Sequence, residues 1–209
     1  MQRNVISIFP ALANTIKRVS KRIIPEDRKE VLQLLIDFIQ SKIDAGQQIN
    51  LNFICTHNSR RSQFAQIWAQ TAADYFGVPA KCFSGGVEVT AFNERAVASV
   101  KRSGFKVSSK GDANPFYSVT IGDDQHPVSA FSKLFDHPVN QVESFAAVMT
   151  CSHADENCPF IPGTEKRIPV HYEDPKDFDG TPQEEARYDE RSMQIASEMF
   201  YMFSHIELH

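Results

Sequence analysis

Asn50-Leu-Asn-Phe-Ile-Cys55-Thr-His-Asn-Ser-Arg-Arg61-Ser62 is the stretch whose reading decides the fold. Leu51, Phe53 and Ile54 make a short strand that runs into Cys55, and a polar turn follows. Beyond it, Phe64, Trp68, Ala72 and Tyr75 or Phe76 recur at helical spacing. A tight turn between a strand and a helix N-terminus points successive backbone N–H groups inward, and the helix dipole adds to their positive field. Thr56, His57, Asn58, Ser59, Arg60, Arg61 and Ser62 are therefore candidates for holding a tetrahedral oxyanion. Arg61, six residues after Cys55, can reach back and hold two oxygens with its fork. The same field draws a cysteine from its usual pKa of ~8.5 towards the ~3.5–7.5 of activated thiols, which makes Cys55 a candidate nucleophile. The Ser62 hydroxyl is placed to stabilise the thiolate. Cys-x5-Arg taken alone arises by chance, and the plainer alternative is a buried cysteine ending a strand. Its place at a strand-to-helix switch favours chemistry.

Working outward, Pro25 to Ala45 reads as a helix, with acids at its start, Gly46 as its stop, and an apolar stripe at Leu32, Leu35 or Ile36, Ile39 and Ile43. Residues 1–48 are thus expected to be a helical extension with no chemistry in it, and 49–209 the catalytic domain. A second strand precedes Ser84-Gly85-Gly86, and a helix runs from about Asn93 to Ser103 before Gly104. Phe145 to Thr150 is a strand entering Cys151, and Arg167 to Tyr172 a strand ending on Asp174-Pro175. Gln183 to His205 is a long C-terminal helix. Residues 107–144 fit least well; Asn114 to Gly122 suggests one more strand, and the stretch reads as an inserted hairpin or lid. Strand and helix alternate, so the fold class is α/β with a parallel sheet. Ligands bind such sheets beyond the carboxyl ends of strands. Cys55, Cys151 and Asp174 all lie there.

Composition narrows the possibilities. The chain has 209 residues, 42% of them hydrophobic and 23% charged, with a net charge of −4. In length that is one medium domain, or one domain plus an appendage, able to bury roughly 70% of its unfolded surface without staples. It carries no basic footprint for nucleic acid and no apolar run long enough to span a membrane. Four cysteines (Cys55, Cys82, Cys151, Cys158) are too few for a secreted disulfide scaffold, so a cytoplasmic protein with working thiols is expected. Arg3, Lys17, Arg18, Lys21 and Arg22, with no acid before Glu26, carry the charge pattern of an organellar presequence. A basic amphipathic segment lying on its own domain fits the poor serine content better.

Two further constellations stand out. Cys151-Ser-His-Ala-Asp-Glu-Asn-Cys158-Pro159 lacks the Cys-x2-Cys spacing of structural zinc, and no metal or cofactor is expected. Two thiols on one loop can pass a disulfide along by exchange, or be one buried and one surface cysteine with no connection. Asp174 beside an anion cradle can protonate a leaving oxygen, although Asp-Pro is also a common turn.

Taken together, Phe53 to Gln63, Phe83-Ser-Gly-Gly86, Cys151 to Pro162 and Asp174-Pro175 make the chain similar to the thioredoxin-coupled arsenate reductases, relatives of the low-molecular-weight protein tyrosine phosphatases. The resemblance covers most of 51–203 apart from 107–144, and leaves 1–48 unexplained. It implies a four-stranded parallel sheet flanked by helices, with Cys55 as nucleophile, Arg61 as oxyanion clamp and Asp174 as general acid. In the arsenate-reducing branch, two cysteines seven residues apart relay a disulfide to thioredoxin, and Cys151 and Cys158 match them. The alternative it implies is a phosphomonoester hydrolase working through a phosphocysteine. Arsenate or a phosphomonoester is thus the expected ligand and thioredoxin the expected partner. The chain departs from the pattern at His57, where a glycine is usual, and at Arg60, often a cysteine. Some relatives hold potassium with an Asn, a Ser and an acid; Asn58 and Ser84 match, but Gln66 takes the acid's place. Lys176, rather than an aromatic, follows Asp174-Pro175.

Overall fold

Ile49–Cys55 forms β1, which contributes to two apolar clusters. Ile49, Leu51 and Phe53 belong to the larger, and Ile54 and Cys55, at the end of the strand, to the smaller. The computed structural model describes residues 6–140, 143–158 and 160–208, so Arg3 of the basic segment and Pro159 lie outside the described residues. β1 is parallel to β2 (Ala80–Gly86) and to Phe145–Met149, which in turn pairs in parallel with Thr164–Pro169. Between β2 and Phe145 lies a second sheet, antiparallel and three-stranded: β3 (Lys106–Lys110), β4 (Phe116–Thr120) and β5 (Val128–Ala130). Phe145–Met149 is accordingly β6 and Thr164–Pro169 is β7, and the main sheet has the order β2-β1-β6-β7. This is the four-stranded parallel sheet expected.

The larger cluster is covered by helices α1 (Pro10–Val19), α2 (Glu26–Asp44), α3 (Arg61–Phe76), α4 (Glu94–Arg102) and the C-terminal α6 (Glu184–Ser204). α3 is central, lying between the sheet and α6. Its residues from Ser62 to Ala69 are all buried, more than the single apolar face in its sequence suggests. Trp68 is fully buried, and its Nε1 donates to Ser192 Oγ of α6 at 3.0 Å. α1 and α2 add Leu12, Ile16, Val19, Leu32, Leu35 and Ile39 to the same core, so the basic segment lies on its own domain. Gly104, at φ 104°, lets α1 approach: a Cβ there would overlap the backbone at Leu12. The smaller cluster lies under α5 (Ser152–Asn157) and gathers Cys55, Cys151 and Cys158.

One boundary differs from expectation. The fourth strand is placed by sequence at 167–172 but pairs over 164–169. Its partner β6 ends at Met149, so the apolar positions 170 and 172 continue only as single ladder bonds, Val170 N–H to Met149 O at 2.9 Å and Tyr172 N–H to Thr150 O at 3.1 Å. The start was hidden because Thr164, Glu165 and Lys166 make a polar edge strand. Among the described residues no helix is long and apolar enough to cross a membrane.

Candidate active site

The loop from Cys55 to Arg60 turns every carbonyl outward. Cys55 O accepts from Val87 N–H and Thr56 O from Glu88 N–H; Ser59 O accepts from Asn93 N–H and Arg60 O from Phe64 N–H. His57 O accepts from Ser132 Oγ at 2.8 Å, and Asn58 O from Gln63 Nε2 at 2.9 Å. A planar trans peptide points the N–H of the next residue opposite to each carbonyl. The amides of Thr56 to Arg61 are therefore aimed into the loop, at the start of α3, where the helix dipole is positive. Asn58 takes φ 47°, which asparagine tolerates, whereas His57 is not left-handed. The Asn58 side chain ties the loop: Nδ2 donates to Ser62 Oγ at 2.8 Å, and Oδ1 accepts from Lys133 N–H at 3.1 Å. Gly86 packs against its back, since a Cβ there would stand 2.7 Å from Asn58 N.

Cys55 is buried at the floor, its Sγ 3.0 Å from Ser62 Oγ. Arg61, the first residue of α3, has its fork on Asp174: Nη2 donates to Oδ2 at 2.7 Å, and Nη1 to Tyr172 O at 3.1 Å. Its Nε is buried without a partner among the described residues. Asp174 starts a short 3-10 turn and caps it by accepting from Lys176 N–H. Arg60 stands 3.9 Å from the same carboxylate and donates to Tyr188 Oη, which in turn donates to Asp179. Burial, with the Asp179 carboxylate beside it, pushes the Tyr188 hydroxyl well above its ordinary value, so it stays a donor.

Cys151 follows β6 by two residues and caps α5, its Sγ accepting from Ala154 N–H at 3.4 Å and standing 3.6 Å from Thr56 Oγ1. Thr56 Oγ1 also lies 3.1 Å from His153 Nδ1. Cys158 closes the far end of α5, and burial raises its thiol pKa, with Arg167 pulling the other way. All four cysteines are free thiols. Cys82 is apart from this group, on β2.

Several residues of the site carry no signal in the sequence. Ser132 and Lys133, 75 positions from the loop residues they hold, come from the segment after β5. Lys133 is 2% exposed, and among the described residues its ammonium meets Ser84 Oγ and Phe131 O, each at 3.4 Å, with its charge over the Phe131 ring. Burial lowers its pKa to about 8. Ser84 Oγ donates to Gln66 Oε1 at 2.5 Å, so the amide at the position of a cation-binding acid is engaged in the fold. Next to Arg61 and Asp174 opens a cavity of about 840 Å³ lined by Tyr172, Phe178, Arg187 and Arg191 among others. Phe178 supplies an aromatic wall that the Lys176 position does not.

A four-stranded parallel sheet with an inward-facing amide loop at the end of a central strand defines the class of enzymes with the low-molecular-weight phosphatase fold. The comparisons agree. No protein-family model matches the chain. An arsenate reductase of Staphylococcus aureus (strain Newman) is 32% identical over 149 residues, 71% of this chain and 92% of that protein. Arsenate reductase 2 of Staphylococcus epidermidis is 30% identical over 123 residues, 59% of this chain and 76% of that protein. The solved structure of a YwlE mutant from Bacillus subtilis superposes with a TM-score of 0.51 at 13% identity, covering 75% of this chain and 97% of that one. The chain belongs to the family of the arsenate reductases, and is an enzyme.

Proposed function

We propose that the protein reduces arsenate and passes the resulting disulfide to thioredoxin. The observation that carries this reading is the burial of Cys55, Cys151 and Cys158 in one apolar cluster at the ends of adjacent strands β1 and β6. Hydrolysis needs only the first of these thiols. The bound dianion draws the Arg61 fork from Asp174 onto its oxygens, and Asp174 is left to carry a proton. The Cys55 thiolate attacks arsenic, and Asp174 protonates the hydroxyl that leaves as water. The Cys151 thiolate then attacks Cys55 Sγ; the arsenic–sulfur electron pair stays on arsenic, which leaves as arsenite, and a 55–151 disulfide remains. Cys158 attacks Cys151, frees the Cys55 thiolate and leaves a 151–158 disulfide for the thioredoxin dithiol to reduce.

That last bond requires α5 to unwind. Seven residues at ~1.5 Å each keep the two cysteines about 10 Å apart along the helix, and a disulfide needs Cα atoms within about 7 Å. A second reading, hydrolysis of a phosphomonoester, is favoured by the cavity beside Asp174, which has room for a leaving group far larger than hydroxide. The deciding experiment follows arsenate-dependent oxidation of reduced thioredoxin alongside release of an aryl alcohol from its phosphate. Cys158→Ser is expected to stop turnover of arsenate with a 55–151 disulfide trapped, and to leave aryl phosphate hydrolysis intact. Arsenate reduction at the wild-type rate in a Cys151→Ser/Cys158→Ser double variant would rule out the relay.

A further inference from the structure

The motifs that carry the sequence resemblance lie within 51–203 and leave 1–48 without a role, yet α2 reaches the acid of the site. Arg28, in the first turn of α2, grips Glu198 of α6 with both arms, Nε to Oε1 at 3.0 Å and Nη2 to Oε2 at 2.6 Å. Its remaining nitrogen, Nη1, donates to His171 O at 3.2 Å. Glu198 is 1% exposed, and it also accepts from Tyr172 Oη at 2.8 Å and from Gln194 Nε2 at 3.1 Å. The Arg28 guanidinium lies 5.0 Å from the centre of the Tyr172 ring. Burial beside the Glu198 carboxylate holds the Tyr172 hydroxyl well above its ordinary pKa, so it remains a donor. His171 and Tyr172 are thus held by backbone, ring and hydroxyl. The same Tyr172 carbonyl receives Arg61, and Asp174 follows two residues later.

We propose that Arg28 is a positioning residue for the general acid: through Glu198, His171 and Tyr172 it fixes the segment that carries Asp174 and the resting place of Arg61. This rests on the reading of Asp174 as the acid. Arg28 touches neither substrate nor Asp174. A planar fork that spans two carboxylate oxygens and a carbonyl cannot be replaced by the point charge of lysine.

The test uses the full chain with Arg28→Met. Because that change strands a buried carboxylate, Arg28→Met/Glu198→Gln is made beside it; the glutamine keeps the shape and still accepts from Tyr172 Oη. Unfolding midpoints establish that each variant is folded. Hydrogen exchange is then followed at the amides of 170–176, where about tenfold faster exchange is expected, against unchanged exchange in β1 and β2. With phenyl phosphate, whose leaving group needs a proton, kcat is expected to fall about tenfold or more, and with 2,4-dinitrophenyl phosphate less than about threefold, at constant KM. In an Asp174→Asn background the Arg28 change should cost no further activity. Unchanged exchange at 170–176 in a folded variant overturns the proposal, and so does an equal loss on both esters. If the wild type turns over neither aryl phosphate nor arsenate, it is the reading of the site that fails, and the exchange result still decides the role of Arg28.

Discussion

Arg61 rests on the acid it is proposed to work beside. Its bidentate reach is a property of the guanidinium plane, so Arg61→Lys is expected to lower kcat/KM by a hundredfold or more, roughly 3 kcal/mol. Binding of phosphate unchanged in that variant, measured by calorimetry, would mean the fork points elsewhere during turnover. Lys133 offers a second test, of stability rather than rate. Its folded pKa is near 8 against an ordinary 10.5. Below pH 8 both states carry the charge, and the fold bears its burial in full. Between about 8 and 10.5 the unfolded chain holds a proton that the folded chain has lost, so stability rises with pH across that window. The gap amounts to about 3 kcal/mol. Lys133→Met should therefore be more stable than wild type at pH 7, by about 1–3 kcal/mol, with the advantage shrinking towards pH 10. Parallel denaturation curves for the two proteins across that range would sink this account. The Cys-x5-Arg spacing was plain in the sequence. Lys133 was not, because its only sequence context is the polar stretch 123–133, whose chain path depends on a distant sheet.

At the level of elements, β1, β6 and α3 were legible because each combines an apolar pattern with a clear stop. β3 and β5 were not: Ser108-Ser109 and a three-residue strand show no alternation to read. α5 is a six-residue helix that the sequence shows only as a polar stretch between two cysteines. It is held from β7 and the segment after it. Arg167 Nε donates to Asp155 Oδ1 at 2.6 Å, and another Arg167 nitrogen donates to Cys158 O at 2.5 Å. His171 Nε2 stands 2.9 Å from Asp155 Oδ2. If α5 must unwind for the relay, this anchor opposes the movement. Arg167→Met is expected to raise amide exchange in 152–158 by about tenfold, and to speed formation of the 151–158 disulfide. A slower disulfide step, followed by stopped flow with thioredoxin absent, would show that Arg167 guides the closing rather than resisting the opening.

The whole molecule ties its first helices to its last. Phe9 N–H donates to Ile121 O, Arg28 pairs with Glu198 across 170 positions, and Gln40 holds the backbone of Glu207. Periodicity announced the stripe on α2, but nothing in a stripe names its partner, and the site's dependence on α2 was invisible for that reason. Removing residues 6–48 uncovers the α6 face that Leu12, Leu32, Leu35 and Ile39 cover. Each of these is fully buried, at a cost of about 2–5 kcal/mol for a comparable truncation to alanine, which together exceeds the stability of an ordinary domain. The deletion should therefore be recovered only as aggregate, and a monomeric, cooperatively melting product would refute the packing described. Arg28 leaves the ribosome 170 residues before Glu198, so the amphipathic α2 must wait, its apolar side open, while the chain between them is made. Nascent chains stopped at Gln183 are expected to be cut rapidly by a dilute protease within α2, and chains carrying α6 to resist, which would make the arrival of α6 the event that closes this side of the core.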